Sequence, residues 1–129
     1  MNRVLADTNI WCDFFSGGDS TLAHLLEYDL LLTHTLVIGE LAVGNLPKRR
    51  QTLADLQQLP QMRSASFHET LTFINHHQLY GRGLQWNDLL ILASVIAAPG
   101  VLLWTRDRRL GAAAAEFNVA FDTPQHHSK

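Results

Sequence analysis

Four carboxylates stand where apolar segments of the chain break off: Asp7, Glu40, Asp88 and Asp107. Val4-Leu5-Ala6 is a short apolar run suited to a buried strand, and it stops at Asp7-Thr8-Asn9. Val101-Leu102-Leu103-Trp104-Thr105 repeats the pattern and stops at Arg106-Asp107. Asp88 opens a nearly all-apolar stretch, Leu89 to Ala98, and Glu40 lies early in an apolar helical pattern through Val37, Leu41 and Val43. Singly these acids are ordinary. Asp7 and Asp107 suit turns, Asp88 complements a helix N-terminus, and Glu40 reads as a solvated helix acid. Brought together they would raise one another's pKa. Such a cluster persists when a cation sits in it, and oxygen-only ligands favour Mg²⁺ or Mn²⁺ over zinc. That site suits phosphodiester hydrolysis, where a metal polarises a phosphoryl oxygen and activates water.

The elements between the acids must bring them together. After the turn Ser16-Gly17-Gly18-Asp19, Leu22, Leu25 and Leu26 recur at helical spacing, with Asp19 or Ser20 as cap. Leu30-Leu31-Leu32 is a second strand. The helix carrying Glu40 follows and is closed by Pro47. Lys48-Arg49-Arg50 opens a helix with Leu53, Leu56 and Leu59, ended by Pro60. Ser66-Phe67-His68-Glu69 has the form of a capping box. Its helix has an expected apolar face of Phe67, Leu71 and Ile74 and stops at Gly81 and Gly83. Ala93, Ser94 and Ala97 suit tight packing of the next helix, which Pro99-Gly100 ends. An alanine-rich helix covers Leu110 to Phe117, and Val119-Ala120-Phe121 makes a last short strand. Strands alternating with helices predict an α/β fold with a mostly parallel sheet. Right-handed crossovers put strand C-termini and the helix N-termini that follow them at one end, so all four acids can converge.

At 129 residues, 47% hydrophobic and 17% charged, the chain reads as one domain with a sizeable core. No internal repeat or linker divides it; the expected domain runs over 1–123, with a loose tail from Pro124 to Lys129. Asp88 and Pro99 bracket the longest apolar run, too short to span a bilayer. No export signal is evident, and the single cysteine, Cys12, excludes an internal disulfide, so a cytoplasmic protein is expected. A net charge of −2 is not that of a generally basic nucleic-acid binder, so phosphate contacts must come from local clusters.

The runs VLADTN, IGEL, GRGLQWNDLLILAS and LLWTRDRRL, in that order, resemble the PIN-domain fold of metal-dependent ribonucleases. More narrowly they resemble the VapC toxins of toxin–antitoxin pairs. The resemblance spans nearly the whole chain. It implies a three-layer PIN-like fold, a central parallel sheet with helices on both faces. The family's acidic quartet then falls on Asp7, Glu40, Asp88 and Asp107, as catalytic groups and metal ligands. Its supporting polar positions fall on Asn9 and Thr105, which hold the acids or the metal-bound water. It further implies an RNA substrate, Mg²⁺ (with Mn²⁺ as substitute), a VapB-type antitoxin and a homodimer. Some relatives carry a further acid after the Asp107 position, where this chain has Arg108 and Arg109; one protein-held ion is therefore expected.

Arg82, Arg106, Arg108 and Arg109 neighbour the acids in sequence and are candidates for holding an RNA backbone. Lys48-Arg49-Arg50 reads as a solvated helix start. The histidines, His76-His77 and His126-His127 among them, lack metal-ligand spacing and read as structural or surface residues. Trp11, Phe14 and Phe15 offer either a stacking surface or, more naturally, core or interface. Two other functions share the acid pattern. A catalytically weak PIN-fold binding module would keep the fold and lose cleavage. A Mg²⁺-binding phosphoacceptor domain needs paired acids at the first strand and a lysine after the last. This chain has Asp7-Thr8-Asn9 and no lysine between Arg50 and Lys129.

Overall fold

The computed structural model describes residues 2–18 and 20–122. Three strands, β1 (Arg3–Ala6), β2 (Leu31–Leu32) and β3 (Val101–Trp104), form a parallel sheet in the order β2-β1-β3. Around it lie α1 (Thr8–Phe15), α2 (Thr21–Glu27), α3 (Thr35–Ala42), α4 (Arg49–Gln58), α5 (Phe67–His77), α6 (Trp86–Ile96) and α7 (Arg108–Glu116). Val4, Leu5 and Ala6 are all buried although successive side chains point to opposite faces, so β1 is covered on both sides. Removing each Leu-sized side chain from water contributes about 1.5–3 kcal/mol. A satellite cluster of Ile74, Leu79 and Leu89 joins α5 to α6.

The register fixes the geometry that matters. Ala6 pairs with Trp104, and the Asp7 N–H donates to the Trp104 carbonyl at 2.8 Å. The next residues, Asp7 and Thr105, therefore leave the sheet side by side. The chain moves from β1 to β2 on one side and returns to β3 on the other. The gap between β1 and β3 is thus a topological switch point, where open parallel sheets bind ligands.

Several local expectations need correction. The helix α1 was not anticipated; it starts directly after Asp7 because the Asp7 carboxylate caps it. The α3 helix ends at Ala42, five residues short of Pro47, so Glu40 sits late in the helix, not early. The capping box Ser66–Glu69 is formed, but α5 buries Thr70 and Ile74, while Phe67 and Leu71 are exposed. A threonine is accepted on the inner face because its hydroxyl donates to the Ser66 carbonyl. The same helix stops before Gly81 and Gly83, at Gln78, whose φ of 53° already turns the chain. Ala97 is an exposed cap residue, whereas Ala93 and Ser94 are buried. Val119–Phe121 forms only an isolated parallel bridge, Ala120 to Leu103, at the β3 edge. Ser20 stands at the start of α2 without a side-chain cap bond. Asp19, and the tail with His126 and His127, lie outside the described residues.

One buried polar node was also unforeseen. His34 is fully buried and caps α3: its Nδ1 accepts from the Leu36 N–H at 3.0 Å. The proton therefore resides on Nε2, which faces Ser94 Oγ at 3.3 Å. Ser94 Oγ also accepts from the Ala65 N–H and donates to the Leu90 carbonyl, both at 2.8 Å. Three segments thus meet on one hydroxyl.

Burial pushes the His34 pKa down, so the native state resists its protonation. Its stability contribution is full above the ordinary histidine value of about 6.5 and is lost as pH falls toward the depressed native value. Denaturation by urea should show the wild type weakening through that window relative to His34→Asn, which keeps a capping acceptor without the titration. Ser94→Ala should cost about 2–4 kcal/mol by orphaning two buried donors. Parallel pH profiles for wild type and His34→Asn would contradict the assignment.

Candidate active site

Asp7 is the innermost of the acids, 8% exposed. Its Oδ1 accepts from the Thr8 N–H at 2.8 Å, and its Oδ2 accepts from the Thr105 hydroxyl at 2.7 Å. Thr105 Oγ1 in turn accepts from Asn9 Nδ2 at 3.3 Å and from the Asp107 N–H at 3.1 Å. Asn9 Oδ1 accepts from the Arg106 N–H at 3.0 Å. The β1–α1 junction and the β3–α7 junction are therefore locked together through side chains. Asn9 and Thr105, picked out in the sequence as supporting positions, are the residues that do it.

The other acids join from different elements. Glu40 of α3 accepts from the Thr8 hydroxyl at 2.5 Å and from Asn87 Nδ2 at 3.4 Å. Asp88, next to Asn87 in the first turn of α6, accepts from the Gln85 N–H at 3.2 Å. Asp107 caps α7 by accepting from the Leu110 N–H at 3.0 Å. A continuous chain of contacts runs Asp107–Thr105–Asp7–Thr8–Glu40–Asn87, and ends beside Asp88. Acids far apart in sequence are thereby gathered at one end of the sheet. Thr8 and Asn87, the partners of Glu40, were not singled out in the sequence. Their signal was their position: each adjoins one of the acids.

The electrostatics reflect this gathering. Burial raises the Asp7 pKa, the hydrogen bonds from Thr105 and Thr8 oppose the rise, and the charges of Glu40 and Asp88 add to it. Burial likewise raises Asp88, opposed by the Gln85 N–H and assisted by Asp107 and Glu40. The donor set is hard oxygen throughout, and its unrelieved mutual repulsion fits a hard divalent cation. Among the described residues, however, no three His, Cys, Asp or Glu side chains form a ready-made metal cage. All four carboxylates accept hydrogen bonds from protein donors.

The arginines differ in availability. Arg106 is paired with Asp13 of α1 at the rim. Arg82 is paired with Glu116, and Arg109 donates to the Gly83 carbonyl at 3.5 Å. Glycine suits position 83 because its φ is 82°, in the left-handed region that side chains rarely adopt. Arg108 is exposed on the first turn of α7, next to Asp107. Trp11, Phe14 and Phe15 pack on one another, with Trp11 2% exposed, so they are not an open stacking surface.

A parallel sheet with an acidic switch point of this composition defines a nuclease-like α/β domain, and comparison with known proteins agrees on the family. The PIN-domain profile matches residues 4–116, and the chain belongs to the PIN-domain family. It is 40% identical over 117 residues to a protein named Ribonuclease VapC32 in two strains of Mycobacterium tuberculosis, covering 91% of this chain and 94% of the relative. The chain is thus a PIN-domain protein of VapC type.

Asp7→Asn should separate electrostatics from architecture. Because the native pKa of Asp7 is raised, its charge costs stability above that pKa, and the cost disappears as pH falls through it. The variant should match or exceed the wild type in Tm at about pH 8, with the difference shrinking as pH falls toward the ordinary carboxylate value of 3.8. A variant less stable by a constant margin across that range would show that Asp7 acts mainly as a cap.

Proposed function

We propose that the chain is a divalent-metal-dependent endoribonuclease, acting as the toxin of a toxin–antitoxin pair. The observation that carries this reading is the contact chain joining Asp107, Asp7 and Glu40 and ending beside Asp88, at the switch point of a VapC-type PIN domain. Asp7, Glu40, Asp88 and Asp107 would hold the ion. Mg²⁺ fits the donor set, with Mn²⁺ as substitute. When bound, the ion lowers the pKa of its water and neutralises charge on the phosphoryl oxygens.

The protein's own part is positioning. Thr105 and Asn9 keep Asp7 aimed, and the Thr105 hydroxyl with the Thr8 N–H opposes the burial that raises its pKa. Thr8 and Asn87 steady Glu40. Arg108 stands free to take an RNA phosphate, and Arg106, held by Asp13, lines the rim; Arg82 serves only after leaving Glu116. The presence of Arg108 and Arg109 after Asp107 supports one protein-held ion. The intact acid set disfavours a weak binding module.

Regulation by a small antitoxin follows from the VapC likeness, as does a homodimer, the commonest symmetric assembly. The stretches Trp11–Phe15 and Leu36–Val43 suit a docked apolar segment. They meet in a groove of about 410 Å³ lined by Cys12, Phe15, Leu41 and Leu46, with Glu40 among its walls. A second groove of about 220 Å³ lies against Trp11, Phe14, Leu26 and Leu56, and the buried indole N–H of Trp11 has no partner among the described residues. A partner arginine in the first groove could pair with Glu40 and compete with metal.

Cleavage of RNA should require Mg²⁺ or Mn²⁺ and stop with EDTA. Asp7→Asn and Asp88→Asn should each lower it by about 100-fold or more. Millimolar Mg²⁺ should raise the Tm of the wild type and not of Asp88→Ala. Cleavage that survives chelation would remove the metal from the mechanism.

For the partner, the chain should co-purify with the product of the small reading frame beside its gene, and that product should relieve growth arrest. Leu46→Lys should weaken the complex while leaving the fold intact. A neighbour that neither co-purifies nor protects would refute the toxin–antitoxin reading and leave the nuclease standing.

A further inference from the structure

Phe67 and Trp86 are two of four exposed aromatic side chains among the described residues, with Tyr28 and Tyr80, and the two whose rings meet. Phe67 is the first residue of α5 and Trp86 the first of α6. Their rings lie 5.0 Å apart at 34°, tilted against each other rather than packed into the core. Phe67 is 68% exposed, Trp86 36% and the neighbouring Leu71 39%. The other two tryptophans, Trp11 and Trp104, are each 2% exposed. Large aromatic surface left in water does little for the fold. Its place along α6 is specific, however. Trp86 immediately precedes Asn87, which holds Glu40, and stands two residues before Asp88. At 100° per residue, Trp86 and Asp88 project from opposite sides of the first turn, with Asn87 between them.

We infer that the Phe67–Trp86 pair is a stacking platform for an unpaired nucleobase of the substrate, next to the nucleotide whose phosphate meets the acids. This rests on the ribonuclease reading and deepens it, making single-stranded RNA the preferred substrate form. The ring spacing leaves no slot for a base between them, so the base stacks on the outer face of the pair. Continuity with the acidic site decides the occupant. A chain whose phosphate reaches Asp88 must pass the start of α6, and every base offers a π-face to an exposed ring. Base pairing hides that face, so a duplex cannot use the platform without melting.

Trp86 reports its own occupancy, because the other indoles are buried. In the Asp7→Asn background, which prevents cutting, a single-stranded oligouridine with Mg²⁺ should quench tryptophan fluorescence. Heparin, a polyanion without bases, should not, and duplex RNA should do so weakly. Trp86→Phe should abolish the quench but retain most of the affinity. In the active enzyme, Trp86→Ala should lower kcat/KM on single-stranded RNA by roughly 5- to 100-fold, chiefly through KM, and Phe67→Ala by a smaller factor. RNA binding without any change in Trp86 fluorescence would overturn the platform and leave the nuclease reading intact. So would sedimentation in which the wild type is a dimer and Trp86→Ala a folded monomer, since a second copy would then cover the rings. Absence of both RNA binding in Asp7→Asn and cleavage by the wild type would overturn the ribonuclease reading itself.

Discussion

The hydrogen bond from Thr105 to Asp7, 2.7 Å long, joins two strand ends that the sheet register has set side by side, and the acidic end of the molecule is built outward from it. Asp7 is buried at the end of a central strand, where an unpaired carboxylate would be forced to protonate. The Thr105 hydroxyl and the Thr8 N–H oppose that. Thr105 then receives Asn9 and the Asp107 N–H, so the same oxygen that steadies Asp7 also sets the start of α7.

Three of the acids shape the helices that begin at this end of the sheet. Asp7 caps α1, Asp107 caps α7 and Asp88 closes the first turn of α6. Three helix N-termini therefore direct N–H groups and the positive ends of their dipoles at a cluster of negative charge. This offsets part of the repulsion among the carboxylates without neutralising it, which leaves the site attractive to a cation. Glu40 is the exception. It comes from the last turn of α3, and two side-chain donors, Thr8 and Asn87, hold it instead.

The surroundings of the cluster are uneven in charge. Arg106 and Arg82 are already committed to Asp13 and Glu116, whereas Arg108 is not. Pairs as exposed as these contribute little to stability, typically below about 1 kcal/mol, so an incoming phosphate can compete for them. Apolar surface is uneven too. The aromatic residues of α1 join the main core cluster, and those at the starts of α5 and α6 stay outside.

Taken alone, the sequence determined the α/β class and the apolar runs of the three strands, because each is written in local pattern, and it over-read a fourth run, Val119–Phe121, that forms only a bridge. Apolar runs of strand length broken by Asp, and a Ser–Glu capping box, are short-range signals. It could not determine α1, since Thr8–Phe15 has no start signal apart from Asp7, and that residue was already explained by a strand-ending turn. It misjudged the inner face of α5, because burial is decided by what packs opposite, and Thr70 could be buried once its hydroxyl had a backbone acceptor. His34 looked like any other histidine until α6 brought Ser94 to it across 60 positions of chain. The same holds at the acidic end: Asn9, Thr105, Thr8 and Asn87 become partners only when the register of β1 on β3 and the packing of α3 against α1 set their distances. Local pattern names the groups that carry charge; long-range register decides which of them share it.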